Sequence, residues 1–484
     1  MMRTMIDEQS AAPGPTSVRD LVDRLGIPAS IVGDVRSATV DDVWIDSRSV
    51  SPGSLFACVP GRSADGHDFA PDAVERGAAA LLVERRLDLD IPQIVVESVR
   101  RALGPVAAEV HRHPSALMTT IGVTGTNGKT TVSRMIGAML TSAGHVVEVI
   151  GTLDGALTTP EATDLQRRLR RAHDQGARHA VMEVSSHGLV EHRVDGVHFD
   201  VAVFTNLGRD HLDLHGTQEE YFRAKASLFT RLAPRRSVIN VDDTHGRLLA
   251  DALAPDAVDA VSPGSVEVVE AGTDGSTLRL DGRVVRVPLP GQVNIANAVI
   301  AWQVARTLGV DPAAAAAGLA AMAPVPGRLE RVHDPESGRE VLIDFAHTPD
   351  ALERLIADCR QMAPGRHLVL VVGCGGDRDA AKRPEMGAVA ASADEVIVTS
   401  DNPRSEDPAS IIAAIVAGIP AAARDRCRAI VDRREAIAAA IAGSSTADLV
   451  VVAGRGHETV QEVMGERRPF SDRAVVREAL GVVP

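Results

Sequence analysis

The chain has 484 residues, 45% hydrophobic and 24% charged, a globular composition that excludes disorder of the whole chain. Its 51 Lys and Arg against 65 Asp and Glu leave a net charge of −14, so no global basic field would hold a polyanion. With 8 Phe, 2 Trp and 1 Tyr, a base-stacking platform is not expected, nucleic acid is not an expected partner, and the cores must be aliphatic.

The stretch MMRTMIDEQSAAPGPTS is polar and lacks the apolar run of a signal peptide, so it reads as a frayed tail and export is not expected. TSVRDLVDRLGI predicts a helix with Thr16 as its N-cap. SLFACVPG, AALLVERR and PQIVVES predict strands. From Thr119 the texture changes to alternating strand and helix: TTIGVTG, HAVMEVSS, DVAVFTNL and RSVINVDD are strands, and KTTVSRMIGAMLTSAG is a helix ended by Gly144. That alternation predicts a mostly parallel sheet covered on both faces. The polar segment from about 255 to 290 reads as a small antiparallel excursion, and NIANAVIAWQVARTLG as a helix. VPGRLERV reads as a hinge, after which VLIDFAH, HLVLVVG, EVIVTSD and DLVVVAG give four more strands. The fold class is α/β in three domains, at 1–117, 118–328 and 329–484. Cys58, Cys359, Cys374 and Cys427 form no C-x-x-C pair, so reduced thiols in a cytoplasmic protein are expected. No segment approaches ~18 uninterrupted apolar residues, so no membrane span is expected.

Open α/β sheets bind ligands at the carboxyl ends of their strands, so the turns there carry the candidate chemistry. IGVTGTNGKTT follows a strand and opens a helix. Gly122 lies one residue too far from Gly128, Lys129 and Thr130 for the strict phosphate-loop spacing, which makes this a variant loop. Gly125 and Gly128, flanking Thr126 and Asn127, free the backbone to wrap phosphate oxygens with N–H groups, and the helix N-terminus adds a positive end. Lys129 can neutralise phosphate charge, and Thr130 or Thr131 can hold Mg²⁺. A plain glycine turn with a solvated lysine is the alternative. Glu183, at the end of HAVME, suits Mg²⁺ as a hard anion.

TGTNGKTT resembles the ATP loop of the Mur ligase family, which includes the folylpolyglutamate synthetases, and about ten motifs in all stand in family order along nearly the whole chain. The resemblance implies three domains: a UDP-substrate domain, a central ATP-binding domain and a Rossmann-like C-terminal amino-acid domain. In FTNLGRDHLDLHG, it implies that His211 is a second metal ligand. In YFRAKASLF it implies that Lys225 is carbamylated, turning a cation into a two-oxygen anion that supports Mg²⁺. A surface lysine is the alternative there. It implies adenine contact for Asn294 in GQVNIANA, where helix capping is compatible with binding. It further implies phosphate contact for Arg328 and ribose contact for Asp344 in DFAHTPDAL, with Phe345 where the family usually has Tyr.

IDSRSVSPGSLFACVPG resembles the UDP-sugar domain of the muramyl ligases, a front domain that folylpolyglutamate synthetases lack, and assigns Ser47 and Arg48 to uridine and pyrophosphate. Thr158, Thr159, Ser185 and Arg193 resemble contacts to the UDP-muramoyl peptide, although each alone reads as a turn residue or solvated charge. GCGGDRDAAKRPEMG, with Arg378, and SDNPRSEDP, with Asp401, Asn402 and Arg404, resemble the diaminopimelate-adding members. A guanidinium fork suits the second carboxylate of meso-diaminopimelate, and lysine would leave it unpaired. In AGRGHET, Gly454 and Glu458 complete that set, Glu458 toward the distal ammonium, while Arg455 replaces the usual Lys and is given no catalytic role.

The activity implied is ATP-dependent formation of an amide between UDP-N-acetylmuramoyl-L-Ala-D-Glu and meso-diaminopimelate through an acyl phosphate, with ATP and Mg²⁺ as cofactors. Lys129, Glu183, His211 and Lys225 are its expected catalytic set. A cytoplasmic monomer is expected, with closure of the C-terminal domain after ATP binding. The alternatives are a lysine-adding ligase, a folylpolyglutamate-type ligase and an inactive nucleotide-binding homologue.

Overall fold

The computed structural model describes residues 14–61 and 64–482. The expected N-terminal tail therefore lies, through residue 13, outside the described residues. The chain forms two compact units, one built from residues up to Gly125 with Leu140–Thr205 and Glu219–Ala260, the other from Thr126–Met139, Asn206–Gln218 and the chain after Val261.

In the first unit the predicted helix is Val18–Arg24 (α1), and its N-cap is Ser17, whose side chain accepts from Asp20 N–H. Thr16, the expected cap, is instead extended and paired with Val40. Five short strands follow: Ala29–Val32 (β1), Asp42–Trp44 (β2), Ser54–Ala57 (β3), Ala80–Val83 (β4) and Gln93–Val96 (β5). They lie in the order β1-β5-β4-β3-β2, with β1 antiparallel and the rest parallel. Successive side chains of a strand face opposite ways. Leu55, Leu82 and Ile94 enter one core with Leu103 and Val106 of the helix Val99–Val110 (α2), while Phe56, Leu81 and Val83 enter the other. Both faces are covered, which is why these strands read as unbroken apolar runs.

The larger sheet of this unit comprises Thr119–Thr124 (β6), Val147–Ile150 (β7), His179–Glu183 (β8), Val201–Phe204 (β9), Arg236–Asn240 (β10) and Val258–Val261 (β11). Its order is β11-β10-β9-β6-β8-β7, and the pairs from β10 to β7 are parallel. Strand β6 sits where the winding reverses, so its carboxyl end is the switch point of the sheet. The chain leaves that end to start the helix Lys129–Ser142 (α3), and Ala162–Asp174 (α4) and Gln218–Thr230 (α5) are further helices.

The second unit opens with the predicted antiparallel excursion, Glu267–Gly272 (β12), Gly275–Leu280 (β13) and Arg283–Val287 (β14). The helix Gln292–Thr307 (α6) comes next. The final sheet contains Glu330–His333 (β15), Glu340–Asp344 (β16), His367–Val372 (β17), Glu395–Val398 (β18), Cys427–Ala429 (β19) and Asp448–Ala453 (β20), in the order β15-β16-β20-β17-β18-β19. Only the β15–β16 pair is antiparallel. Helix Pro349–Met362 (α7) contributes Leu352, Leu355 and Ile356 to the core below it. The expected hinge is half strand, since its last residues form β15. A hairpin, Val460–Val463 (β21) and Glu466–Pro469 (β22), follows the last parallel strand.

Candidate functional site

The loop after β6 is held by backbone conformation. Gly125 has φ 147° and Gly128 has φ 88°, values that side-chain-bearing residues rarely adopt. Asn206, from the segment after β9, fastens the loop: its carbonyl accepts from Thr126 N–H (2.9 Å), its Oδ1 accepts from Asn127 N–H (3.0 Å), and its Nδ2 donates to Asn127 O (3.1 Å). Gly208 N–H donates to Thr126 Oγ1 (2.9 Å). Lys129 Nζ donates to Thr126 O (2.9 Å), and Thr130 and Thr131 are buried at the head of α3. The motif containing Asn206 is visible in the sequence, but its service as a clamp is a through-space property.

Near this loop, Asp210, His211, His347 and Lys129 form one electrostatic group. Burial alone would raise the Asp210 carboxyl, but His211, His347 and Lys129 together hold it below the ordinary carboxylate range. His211 is exposed and left-handed at φ 54°, with Nε2 3.5 Å from Asp210 Oδ2. At the end of β16, Asp344 accepts from Leu329 N–H and Ala346 N–H, each at 2.8 Å, and burial pushes its pKa up. The Arg328 guanidinium lies 4.6 Å from the centre of the Phe345 ring, so the missing tyrosine hydroxyl leaves a cation–π platform intact. His457 packs against the same ring at 5.2 Å, and burial, then Arg328, pull its pKa down to about 4. Asn294 is buried at the start of α6, where its Nδ2 donates to Pro290 O and its Oδ1 accepts from Asn297. It does not cap the helix, because the N-cap is Gly291.

The first unit gathers a second set. Glu183 is buried at the end of β8, with Oε1 accepting from Thr152 N–H (2.9 Å) and Oε2 from Thr152 Oγ1 (3.0 Å). Thr158 Oγ1 lies 3.0 Å from Thr152 Oγ1. Thr159 Oγ1 donates to Glu183 O and lies 3.1 Å from Ser185 Oγ, and Arg193 Nη1 donates to Thr159 O (3.2 Å). Thr158, Thr159, Glu183, Ser185 and Arg193 are therefore one connected cluster, not scattered turn residues. Lys225 is 1% exposed, and its Nζ donates to Gly125 O (2.8 Å), the carbonyl that opens the phosphate loop. The surface-lysine alternative is thereby excluded. Ser47 is buried on the short turn after β2, whereas Arg48 is 82% exposed and pairs with Asp46.

The third set lies at the carboxyl ends of β18 and β20. Asn402 Nδ2 donates to Glu458 Oε2 (2.6 Å), while Asn402 Oδ1 accepts from Arg455 Nη1 (2.7 Å) and Glu462 N–H (3.0 Å). A side chain on Gly454 would meet Asp401 Oδ2 at 2.5 Å, so the glycine is what lets Asp401 sit there. Arg404 is left-handed at φ 54°, and its Nη1 donates to Gly376 O (2.5 Å). Burial and then Asp401 raise the Glu458 pKa. Arg378 is exposed on the loop after β17.

Among the described residues no group of three or more His, Cys, Asp and Glu converges as a ready-made metal cage. Mg²⁺ does not need one: it keeps most of its waters and takes one or two protein oxygens together with phosphate oxygens. The buried carboxylate of Glu183 and the hydroxyl of Thr130 are donors of that kind.

A family model described as Mur ligase middle domain matches residues 123–305, one described as Mur ligase, glutamate ligase domain matches 327–456, and one described as Mur ligase family, catalytic domain matches 39–114. The UDP-N-acetylmuramoyl-L-alanyl-D-glutamate–2,6-diaminopimelate ligase of Streptomyces coelicolor is 41% identical over 97% of this chain and 98% of its own. The protein of the same name from Chlorobium phaeobacteroides is 42% identical over 96% of each chain. The chain belongs to the Mur ligase family, and it is an enzyme of the ligase class. A solved structure bearing the same ligase name gives a TM-score of 0.68 at 33% identity, covering 97% of this chain and 99% of that one. A folylpolyglutamate synthase from Mycobacterium tuberculosis gives 0.60 at 22% identity, covering 78% of this chain and 94% of its own, a likeness of fold alone.

Proposed function

We propose that this enzyme joins meso-diaminopimelate to UDP-N-acetylmuramoyl-L-alanyl-D-glutamate, with ATP converted to ADP and phosphate, in the synthesis of peptidoglycan precursors. The carrying observation is the set Asp401, Asn402, Arg404 and Glu458, in which Asn402 bonds Glu458 and the 401–404 loop is tied to Gln461 and Glu462, in a chain about 41% identical along its length to ligases of that name. Diaminopimelate is a diacid with two ammonium groups. The Arg404 guanidinium suits its far carboxylate, and Glu458, a partly buried carboxylate whose pKa burial and then Asp401 raise, suits its distal ammonium.

A carboxylate is a poor electrophile. The D-glutamyl side-chain carboxylate of the muramoyl substrate attacks the γ-phosphorus of ATP, ADP leaves, and an acyl phosphate results. The amine of diaminopimelate then attacks the acyl carbon, gives up a proton, and inorganic phosphate leaves. The backbone N–H groups at the head of α3, from Gly128 to Thr131, and Lys129 hold the phosphates, in company with Arg328. Asn294 and Asp344 take the adenosine. Glu183, Thr130 and His211, with Lys225 as its carbamate, are the groups that would hold Mg²⁺, which supplies charge neutralisation when bound. Ser47, Arg48, Thr158, Thr159, Ser185 and Arg193 receive the UDP-muramoyl peptide, and Arg378 assists at the amino-acid end. The segments 1–117, 118–328 and 329–484 are the working divisions of this reading, which places a monomer in the cytoplasm. Among the described residues no helix is long and apolar enough to cross a membrane.

The test is ADP release with the UDP-muramoyl dipeptide and a panel of amino acids. Diaminopimelate is expected to support turnover at least 100-fold better than lysine in kcat/KM. Preference for lysine would assign the lysine-adding reaction. ADP release with a folate and glutamate but not with the dipeptide would assign the polyglutamate reaction, and ATP binding without turnover would mark an inactive homologue.

A further inference from the structure

The sequence gives Arg455 no role beyond keeping a charge. The structure gives it an unusual place. Arg455 is 0% exposed, and its two terminal nitrogens face different segments. Nη1 donates to Asn402 Oδ1 (2.7 Å) and Asp401 O (3.3 Å), while Nη2 donates to Val460 O (2.9 Å) and Phe470 O (3.5 Å). One planar fork therefore ties the loop after β18 to both ends of the β21–β22 hairpin.

The hairpin closes the tie from its own side. Gln461 Nε2 donates to Asp401 O (2.7 Å), Glu462 N–H donates to Asn402 Oδ1 (3.0 Å), and Arg404 N–H donates to Glu462 O (3.0 Å). Arg404 and Val463 form a parallel bridge, and Gly465 N–H donates to Arg404 O. The left-handed backbone of Arg404 is thus set by the hairpin. The Asn402 amide is fixed as well: with two donors already on Oδ1, its Nδ2 must point to Glu458.

Resting on the reading that this cluster receives the incoming amino acid, we propose that Arg455 is a specificity-positioning residue, whose fork locks the 460–469 hairpin to Asp401–Asn402 and so orients Asn402, Arg404 and Glu458 toward that amino acid. The usual lysine offers one ammonium on a flexible stem, and set among partners that in this chain are placed around a guanidinium it cannot face Asn402 and Val460 at once. The cluster would then keep its charges and lose its register.

The experiment compares wild type, Arg455→Lys and Gln461→Ala in ADP release with the UDP-muramoyl dipeptide, varying diaminopimelate and lysine. Arg455→Lys is expected to raise KM for diaminopimelate about tenfold and to lower the diaminopimelate-to-lysine preference by a similar factor, with KM for ATP and for the dipeptide within twofold. Gln461→Ala, on the half-buried hairpin, is expected to move the same quantities about threefold with no change in melting temperature. A merely structural role would lower the melting temperature and the active fraction but leave KM and preference in place. Unchanged KM and preference in both variants would overturn the proposal, and should Arg455→Lys not fold, Gln461→Ala decides it alone. A wild type that does not use diaminopimelate overturns the underlying reading instead, so the two failures are distinguishable.

Discussion

The phosphate loop Gly125–Thr131 and the loop Asp401–Arg404 both follow a parallel strand, yet they are made of different materials. The first is backbone held in shape by two glycines and by the peptide-like amide of Asn206. The second is held by buried charge: Arg455, and Arg433, whose Nε and Nη2 donate to Asp472 at 2.7 Å each and whose Nη1 and Nη2 donate to Ser400 O and Ala453 O. Backbone walls bind any phosphate in one geometry, whereas side-chain walls can be altered residue by residue.

The sharpest way to break the comparison is at Asp472. Both partners of the Arg433–Asp472 pair are fully buried. Removing one leaves an uncompensated charge, which costs about 3–5 kcal/mol. Asp472→Ala is expected to lose that much in denaturant unfolding. A loss below about 1 kcal/mol would show that the pair is not what supports the Asp401–Arg404 loop.

Asn206→Ala tests the other wall and should do less to the fold. It removes the two side-chain hydrogen bonds that clamp Asn127 and leaves the carbonyl contact to Thr126 in place. At about 1 kcal/mol for a hydrogen bond, the loosened loop should bind ATP roughly 5–30-fold more weakly. Calorimetric titration with ATP reads the change, and near-constant melting temperature separates it from unfolding. Equal losses of affinity and stability would mean that the loop is held by the surrounding core rather than by Asn206.

The same difference in materials explains what the sequence made legible. Gly125 and Gly128 act through local backbone conformation, so G-K-T-T between a strand and a helix announced the loop although the strict spacing is not met. The parallel sheets were readable because strands buried on both faces become apolar runs. The hairpin was not: Glu462, Glu466, Arg467 and Arg468 give it no apolar alternation. Strand β19, Cys427–Ala429, is three residues long and partly exposed, and it passed unseen for the same reason. Lys225 stands among helix-forming residues, and only the fold reveals that its amine is buried against Gly125 O. Arg455 reads from the sequence as a kept charge with changed geometry and no catalytic role, because its partners, Asn402 and Val460, meet it only through space. At the first helix, Thr16 and Ser17 are chemically near-equivalent caps, and pairing of Thr16 with Val40 decided for Ser17.

A carboxylate that meets backbone combines the two materials. Asp358, on α7, reaches the start of α6, whose N-cap Gly291 offers no side chain, and its Oδ2 accepts from Val293 N–H (3.3 Å). Burial, reinforced by Asp344 and opposed by the N–H groups of Val293 and Gln292 and by Arg354, raises its pKa to about 6. The folded protein therefore holds this proton more tightly than the unfolded chain, where an aspartate titrates near 3.9. The stability it contributes is fully present below about pH 4 and is lost as pH rises through about 6. Measured by denaturant unfolding, Asp358→Asn should flatten the stability profile between pH 4 and 7 by at most about 3 kcal/mol. It should also make the variant relatively more stable above pH 6, because a neutral amide oxygen can still accept from Val293 N–H without a buried charge. A variant whose profile keeps the full slope of the wild type would show that Asp358 is ionised across that range, and that its bond to the start of α6 outweighs its burial.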